Sequence, residues 1–343
     1  MNKVSFIIKR VANMNVGAMF KTVGRMHKRC KKSRVGLLFD VIRCGAKYGA
    51  GYLDYEYFEF YNLDDEQRAS YIVRTTNNLI IAHCNKREHY HWLHDKIDFN
   101  TRYNDFLHRG WIDFRTATKE EFLEFVKDKK ALMVKIVDAS CGIGIEKINV
   151  ADYADGEAVY EKLKTMPNAQ LIEEYVVQHK RMSELYPHSV NTCRITTLLV
   201  GDEVHIINSS IRIGNNNSVV DNISSGGMST VVDTASGTIL FPASDEDGKK
   251  YESHPMTGTP IKGFTVPHWD AVIDMCKRAA KITPELRFCG WDVAITDETP
   301  LLIEGNQLPG YFLFQLPPSM QNGRAQGMKP RFKELLKDEF EVK

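Results

Sequence analysis

From residue 117 onward, short apolar runs alternate with polar turns, a pattern that predicts strands and helices in mixed order. Thr118 and Glu121 have the spacing of a capping box, which predicts a helix start. Strands are predicted at 131–137, 147–150, 169–177, 193–200, 204–213, 230–233, 238–241, 290–296 and 300–304, and further helices at 156–165 and 269–281. Since most of these strands follow one another through short turns, we expect an α+β fold with antiparallel pairing.

The first 75 residues favour helices instead. Apolar residues recur at near-helical intervals with cations between them, at Val4, Ile7, Ile8, Val11, Met14, Met19, Val23 and Met26. This predicts one amphipathic basic helix, or two helices broken near Gly17. Residues 52–61 are rich in Tyr and Phe, which indicates either the packing of a helical subdomain, the favoured interpretation, or a ligand platform. Asp64 with Gln67 predicts a further helix start.

Charge changes this picture, although the formal net charge of the chain is only +1. Residues 1–39 contain ten cations and no acid, which leaves 35 cations against 44 acids in the rest. The sequence therefore predicts a basic head on an acidic body. The head either docks on the body with its cations in solvent, the favoured interpretation, or lies on an anionic membrane surface.

Composition limits the class of protein. A chain of 343 residues suggests about two domains. With 43% hydrophobic and 26% charged residues, wholesale disorder is excluded. The seven cysteines are scattered without a CxxC pair, which is typical of reduced thiols in a cytoplasm. No apolar run approaches the roughly 20 residues of a membrane span.

The strongest chemical signal is the last predicted hairpin. Side chains alternate along a strand, so Glu304 and Asn306 share a face, and antiparallel pairing can bring Asp292 beside them. Two carboxylates and a carboxamide suit Mg²⁺, which takes its other ligands from water and phosphates. The alternative is a solvated strand face, but the apolar neighbours Val293 and Leu302 favour the metal site.

Two weaker signals precede this hairpin. Lys135 lies in the predicted strand 131–137, which is followed by a loop with Gly142 and Gly144, whose backbone could approach a phosphate or simply form a hairpin turn. Glu173 and Glu174 end another apolar strand and could be a nucleotide hinge or ordinary surface acids. Taken alone, both signals favour the ordinary interpretation.

The order of these features resembles the ATP-grasp superfamily between about residues 90 and 312. The sequence is more similar still to the sugar-transfer-associated branch, related to α-L-glutamate ligases and teichuronopeptide-type enzymes. The resembling segments are 189–194, 220–227, 254–258, 263–267, 290–292 and 304–306. The resemblance implies an ATP-grasp fold, in which two α+β subdomains grip ATP, behind a helical N-terminal region. We expect a helical region at 1–75, linker helices and the first subdomain at 76–185, and the second subdomain at 186–343.

The same resemblance implies ATP and two Mg²⁺ ions as cofactors. Nucleotide contacts are implied for Lys96, Lys135, Ser140, Gly142, Gly144, Glu173, Glu174 and Val176. Metal ligands are implied at Asp292, Glu304 and Asn306. Glu184 is the candidate for the ribose, although it lies further from the hinge than the family pattern has it.

Acceptor chemistry is expected around residues 194–254. Arg194 would stabilise the transferring phosphoryl group and Arg212 would bind a carboxylate through its bidentate fork, with surface ion pairs as the alternative for both. The polar turns that could contact an acceptor contain Asp221, Asn222, Gly226, Gly227 and His254.

The implied activity is an ATP-dependent carboxylate–amine ligase that works through an acylphosphate. It would join an amine or amino acid to a sugar acid, or a related carboxylate, in surface-polysaccharide biosynthesis. The alternatives are a kinase that phosphorylates a hydroxyl and a non-catalytic ATP-binding adaptor. We expect small-molecule or glycan-linked substrates, contact with glycan-assembly enzymes, no nucleic acid, and a cytoplasmic location that includes the inner face of the membrane if residues 1–34 bind lipid.

Overall fold

The structure is a computed structural model that describes residues 15–139, 142–315, 320–321, 324–337 and 339–340. The predicted apolar positions of the head up to Met14 lie outside this part. Contacts group the chain into two compact units, one of Met1–His83 with Gly310–Lys343 and one of Cys84–Pro309. The α+β class with a helical N-terminal region is confirmed. The domain boundaries expected at residues 75 and 185 stay a prediction.

Helices and strands alternate irregularly along the described chain. The helices are α1 (Val16–Cys30), α2 (Arg34–Tyr48), α3 (Tyr52–Tyr57), α4 (Asp65–Ser70), α5 (Arg74–Cys84), α6 (His91–His94), α7 (Lys96–Arg102), α8 (Lys119–Val126), α9 (Gly156–Lys164), α10 (Lys180–Leu185), α11 (Trp269–Ala279) and α12 (Lys329–Leu336). The strands are β1 (Trp111–Asp113), β2 (Ala131–Lys135), β3 (Glu146–Asn149), β4 (Leu171–Glu174), β5 (Cys193–Val200), β6 (Glu203–Ile213), β7 (Met228–Val231), β8 (Ala243–Ser244), β9 (Lys250–Tyr251), β10 (Phe288–Ile295), β11 (Pro300–Asn306), β12 (Met320–Gln321) and β13 (Arg324–Ala325). No helix within the described ranges is both long and apolar enough to cross a membrane.

Aromatic rings form the core of the first unit. The ring of Tyr71 lies 4.8 Å from that of Phe58 and 5.4 Å from that of Phe60, and all three side chains are buried. The aromatic run therefore packs a helical unit, as the favoured interpretation has it. Asp64 and Gln67 form the predicted capping box, each side chain accepting from the other residue's backbone N–H.

Helix α1 is the described part of the basic head. Asn15 caps its N-terminus, and Gly17 lies within the first turn without breaking the helix. Its apolar face is buried in the core of the first unit, with Met19, Val23 and Met26 at most 5% exposed. The docking interpretation thus holds for residues 16–30, because this face is already covered by protein.

In the second unit, a small antiparallel sheet has the strand order β1–β4–β2–β3. The two helices α8 and α9 cover it through Phe122 and Leu163, which are fully buried against Leu132 and Val134. The capping box predicted at Thr118 is confirmed. This sheet pairs β2 with β4 antiparallel, so that Lys135 lies opposite Leu171 and Met133 opposite Glu173.

A larger antiparallel sheet follows, in the order β11–β10–β5–β6–β7–β8–β9. Strand β10, second from the edge and flanked by β11 and β5, is buried along its whole length and is apolar apart from Asp292. The strand predicted at 238–241 is wrong, because Thr238 and Ile239 form only isolated bridges. The chain turns there at Gly237, whose φ of +71° is left-handed and whose hydrogen atom faces the Trp269 ring where a Cβ would clash.

Candidate active site

Asp292, on strand β10 between β11 and β5, is held by two arginines. Its register partner on β5 is Arg194, which donates to it through Nε and, at 2.8 Å, through Nη2. Arg212 of β6 donates from Nη2 at 2.5 Å. Burial alone would raise the pKa of Asp292, but the two guanidinium groups more than offset this and hold it well below its usual range. Asp292 is therefore the member of the carboxyl pair that carries its negative charge at neutral pH.

Glu304 lies directly opposite Asp292 on β11. Burial and the neighbouring Asp292 charge raise the pKa of Glu304 to about 7, and the arginines offset this only in part. Of the two carboxyl groups, Glu304 is the one to which no arginine or lysine of the described residues donates a hydrogen bond. The adjacency predicted from strand alternation is confirmed by this register.

Asn306 follows on the same face of β11, half-buried, with its Oδ1 accepting from the backbone N–H of Leu308 at 2.9 Å. Among the described residues, no group of three His, Cys, Asp or Glu side chains could enclose a metal ion. The carboxylates of Asp292 and Glu304 with the Asn306 amide oxygen still form a hard-oxygen donor set. A divalent cation would place positive charge beside the two carboxyl groups and so stabilise the ionised form of Glu304. These residues therefore fit Mg²⁺, with its other ligands from water and phosphate.

A buried charge cluster joins the small sheet to strand β11. Glu173 accepts from Lys135 Nζ, from Arg109 Nη2 at 2.8 Å and from Asn100 Nδ2 at 2.9 Å. Arg109 also donates to the backbone oxygen of Leu302. Burial would raise the pKa of Glu173, but Arg109 and Lys135 hold it below its usual range. Arg109 and Asn100 belong to no motif, so neither could be identified from the sequence.

Lys96 is close enough to this cluster and to Glu304 to feel the charges of both. Its ammonium donates to the carbonyl oxygens of Val137, at 3.2 Å, and Ala139. Burial lowers the pKa of Lys96, while the charge of Glu304 acts in the opposite direction. The structure therefore brings Lys96 and Glu304, predicted from distant segments, into one electrostatic neighbourhood.

The predicted phosphate loop reaches the acceptor region. Gly142 and Gly144 both have left-handed φ angles, +76° and +70°, which favour glycine. A Cβ on Gly142 would lie 3.4 Å from Oδ1 of Asn222. Ser140 lies outside the described residues.

The remaining nucleotide candidates are placed as follows. Glu174 accepts from Lys129 at 2.8 Å and from the backbone N–H of Gly110 at 3.2 Å. Val176 is buried in a small apolar cluster beside β10. Glu184 is exposed on α10. The roles of all three stay predictions.

Asp221 supports the arginine cluster from the turn after β6. Its carboxylate accepts from the backbone N–H of Thr192 at 2.9 Å and from its hydroxyl at 2.6 Å, and lies 3.6 Å from Arg212 Nε. Gly227 must be glycine here, because a Cβ would lie 2.4 Å from the Asp221 carbonyl oxygen. Gly226 has a φ of +87°. The turn therefore holds Asp221 against Arg212.

His254 is buried, and backbone groups contact both of its ring nitrogens. Nε2 lies 2.8 Å from the carbonyl oxygen of Gly214, which can only accept, so Nε2 carries the proton. Nδ1 faces the N–H groups of Met256 and Thr257, at 3.3 and 3.4 Å, and so must be unprotonated. Its predicted contact with an acceptor stays a prediction.

We expect His254 to make the second unit less stable in acid. Burial lowers the pKa of His254, so as the pH falls below about 6.5 the unfolded chain takes up a proton that the folded site resists. Stability is therefore lost with falling pH in the wild type. The free energy of unfolding of His254→Gln should depend less steeply on pH, as measured by urea titration. An equal slope in His254→Gln and in the exposed-site control His188→Gln would contradict this.

Comparison with solved structures finds many matches, among them three enzymes of low sequence identity. N5-carboxyaminoimidazole ribonucleotide synthetase, solved as an ADP complex of purK, is 11% identical with a TM-score of 0.39, over 64% of this chain and 45% of that one. The ATP-grasp ligase PsnB, complexed with a minimal precursor, Mg and ADP, is 12% identical with a TM-score of 0.40, over 74% and 61%. D-alanyl-alanine synthetase A from Vibrio cholerae is 14% identical with a TM-score of 0.39, over 71% and 60%. The chain thus spans less than two thirds of each of these proteins.

A comparison with curated proteins found no match. The profile of the family described as sugar-transfer associated ATP-grasp matches residues 75–331, which is well over half of the chain. This confirms the resemblance seen in the sequence. The chain belongs to the sugar-transfer associated ATP-grasp family.

Proposed function

We propose that the chain is an ATP-dependent carboxylate–amine ligase that works through an acylphosphate. One observation carries the proposal: Asp292, clasped by Arg194 and Arg212, lies opposite Glu304. This places two fixed cations beside a carboxylate pair suited to a metal, which is the charge distribution that phosphoryl transfer needs.

The arginines have donor capacity to spare. Arg194 donates to Asp292 through Nε and Nη2, and Arg212 donates to it through Nη2. Arg212 also donates from Nε and Nη2 to the hydroxyl of Thr192. The Nη1 group of each has no hydrogen-bond partner within the described part of the chain. These two groups are available to an anion, and we assign them to the transferring phosphoryl group and the substrate carboxylate.

ATP would be held by Lys96, Lys135 and the backbone of the loop around Gly142 and Gly144, with adenine at the strand end that carries Glu173 and Glu174. Mg²⁺ bound by Asp292, Glu304 and Asn306 would supply positive charge to the phosphate oxygens. In this structure the ammonium of Lys135 donates to Glu173. To bind a phosphate, Lys135 must direct another of its N–H groups to the phosphate oxygen or give up its bond to Glu173.

The reaction proceeds in two steps. A carboxylate oxygen of the substrate attacks the γ-phosphorus of ATP, the bond to the β-phosphate oxygen breaks, and ADP leaves. An amine nitrogen then attacks the acyl carbon of the acylphosphate, and inorganic phosphate leaves as the amide forms. The fixed guanidinium groups lower both barriers by neutralising charge that develops on oxygen.

For the substrates we propose a sugar acid or related carboxylate, free or glycan-linked, and an amino acid or other amine. The family name supports a link to sugar transfer. We place the reaction in surface-polysaccharide assembly, beside glycan-assembly enzymes. The proposed location is the cytoplasm, at the inner face of the membrane, where the basic residues of the segment 1–34 would face anionic lipid.

The test measures products rather than ATP loss alone. Purified protein with Mg-ATP and a panel of uronates and amino acids should release ADP and free phosphate in equal amounts, with an amide in the mass spectrum. Hydroxylamine in place of the amine should trap the acylphosphate as a hydroxamate. Phosphate retained on the product would show a kinase instead, and nucleotide binding without ADP release would show an adaptor.

A further inference from the structure

Helix α2 is apolar on two opposite faces. Leu37, Val41 and Cys44 are at most 4% exposed and form part of the core of the first unit. Val35, Phe39 and Ile42 recur at helical intervals on the other side. A surface helix normally presents polar residues opposite its buried stripe. Helix α2 departs from this pattern over most of its length.

The second face is open to solvent. Val35 is 66% exposed, Phe39 70% and Ile42 54%, and Ala46 continues the stripe one turn further as an exposed residue. Single exposed apolar residues are ordinary, but a continuous stripe with an aromatic residue at its centre indicates a surface that binds another protein or a membrane.

Cations precede this stripe along the chain, and Lys31 and Arg34 are the nearest to it in sequence. Lys21, Lys28, Lys31 and Arg34 are exposed, and their side chains form no hydrogen bond or ion pair among the described residues. Residues 15–39 contain no acid to balance them. The first acid, Asp40, is already bonded to Arg68 on the side of the helix that faces the unit.

We propose that the exposed face of α2, formed by Val35, Phe39, Ile42 and Ala46, docks on an anionic lipid bilayer. Apolar side chains at the level of the headgroups, next to unpaired cations, are the two signals that membrane-surface binding requires. A second copy of this chain would bring the same excess of cations against itself, so charge favours lipid over self-association. The proposal deepens the membrane location proposed above but does not depend on the ligase activity, because vesicle binding needs neither ATP nor turnover.

Membrane binding by this face is better tested by point substitutions than by deletion of the basic head. Deleting residues 1–34 would remove α1, whose Met19, Val23 and Met26 are buried in the first unit, so lost binding could reflect lost folding. Point substitutions at exposed positions avoid this. The test uses the full-length triple variant Val35→Ser, Phe39→Ser, Ile42→Ser, in co-sedimentation with phosphatidylcholine vesicles with and without phosphatidylserine.

We expect the wild type to bind vesicles that contain phosphatidylserine, and the triple variant to bind them at least about tenfold more weakly. The variant Lys28→Gln, Lys31→Gln, Arg34→Gln should lose the preference for phosphatidylserine. The matched control Leu79→Ser, Leu240→Ser, Ile282→Ser removes three exposed apolar side chains elsewhere and should bind like the wild type.

Three results would overturn the proposal. The first is equal vesicle binding by the wild type and the triple Ser variant. The second is a wild type that is dimeric by light scattering and a triple variant that is monomeric, which would make the face a self-association surface. The third is vesicle binding that appears only when residues 1–14 are deleted, which would mean that those residues cover the face in the full chain.

Discussion

Replacing Glu304 by glutamine should lower ADP release by roughly 100- to 1,000-fold while the protein remains folded. The loss is expected because Glu304 is the carboxylate of the pair whose charge no arginine matches, so it has the most to offer a divalent cation. Asp292, by contrast, is already bonded to Arg194 and Arg212.

The fold should tolerate this change because two adjacent carboxylates repel each other. Glutamine keeps the size of Glu304 and removes one of the two charges. We therefore expect the free energy of unfolding in the absence of Mg-ATP to be unchanged or higher. A site that loses activity while gaining stability is the mark of a residue kept for function.

Steady-state ADP release and urea unfolding of the same preparations would check this. The matched control is Glu298→Gln, an exposed acid in the turn of the same hairpin, which should change neither quantity. Activity of Glu304→Gln within a few-fold of the wild type would remove Glu304 from the site.

The pairing of Asp292 with Glu304 could be predicted because it depends on local rules. Strand periodicity and a tight turn fix which residues share a face, and the structure pairs Asp292 with Glu304 in register. The capping boxes at Thr118 and Asp64 were predictable for the same reason, since each involves residues three apart.

Contacts between distant segments could not be predicted in this way. Asp292 and Arg194 are 98 residues apart, and their contact depends on β10 pairing with β5, which no local pattern specifies. Arg109 meets Glu173 across 64 residues. The sequence identified Arg194 through a family segment, but Arg109 lies in none of the segments that carry the resemblance.

In the basic head, the apolar spacing predicted a helix correctly but did not predict whether protein or lipid covers its apolar face. The apolar spacing of Met19, Val23 and Met26 identified a helix, and the structure buries that face. The exposed apolar face lies one helix later, around Phe39 on α2, a feature that the sequence patterns above did not predict. Spacing alone does not tell which of two apolar faces the rest of the chain covers.

Replacing Glu173 by glutamine should destabilise the second unit by about 3–5 kcal/mol. Glu173 is the shared partner of Arg109 and Lys135, whose side chains are 2% and 9% exposed. Without the carboxylate, two buried cations lie near each other with no negative charge between them. Arg109 cannot turn toward water without breaking its bond to the Leu302 carbonyl oxygen on β11.

Urea unfolding monitored by tryptophan fluorescence would measure this, because all four tryptophans of the chain lie in the second unit. The neighbouring Glu174→Gln is the matched control: Glu174 is half-buried, and its partner Lys129 can turn toward solvent, so we expect a cost below about 1 kcal/mol. Two adjacent acids, of the same chemistry and on the same strand, should thus differ severalfold in their contribution to stability. Equal effects would mean that the Arg109–Glu173–Lys135 cluster is solvated in solution, and Lys135 would then be free to bind a phosphate without first leaving Glu173.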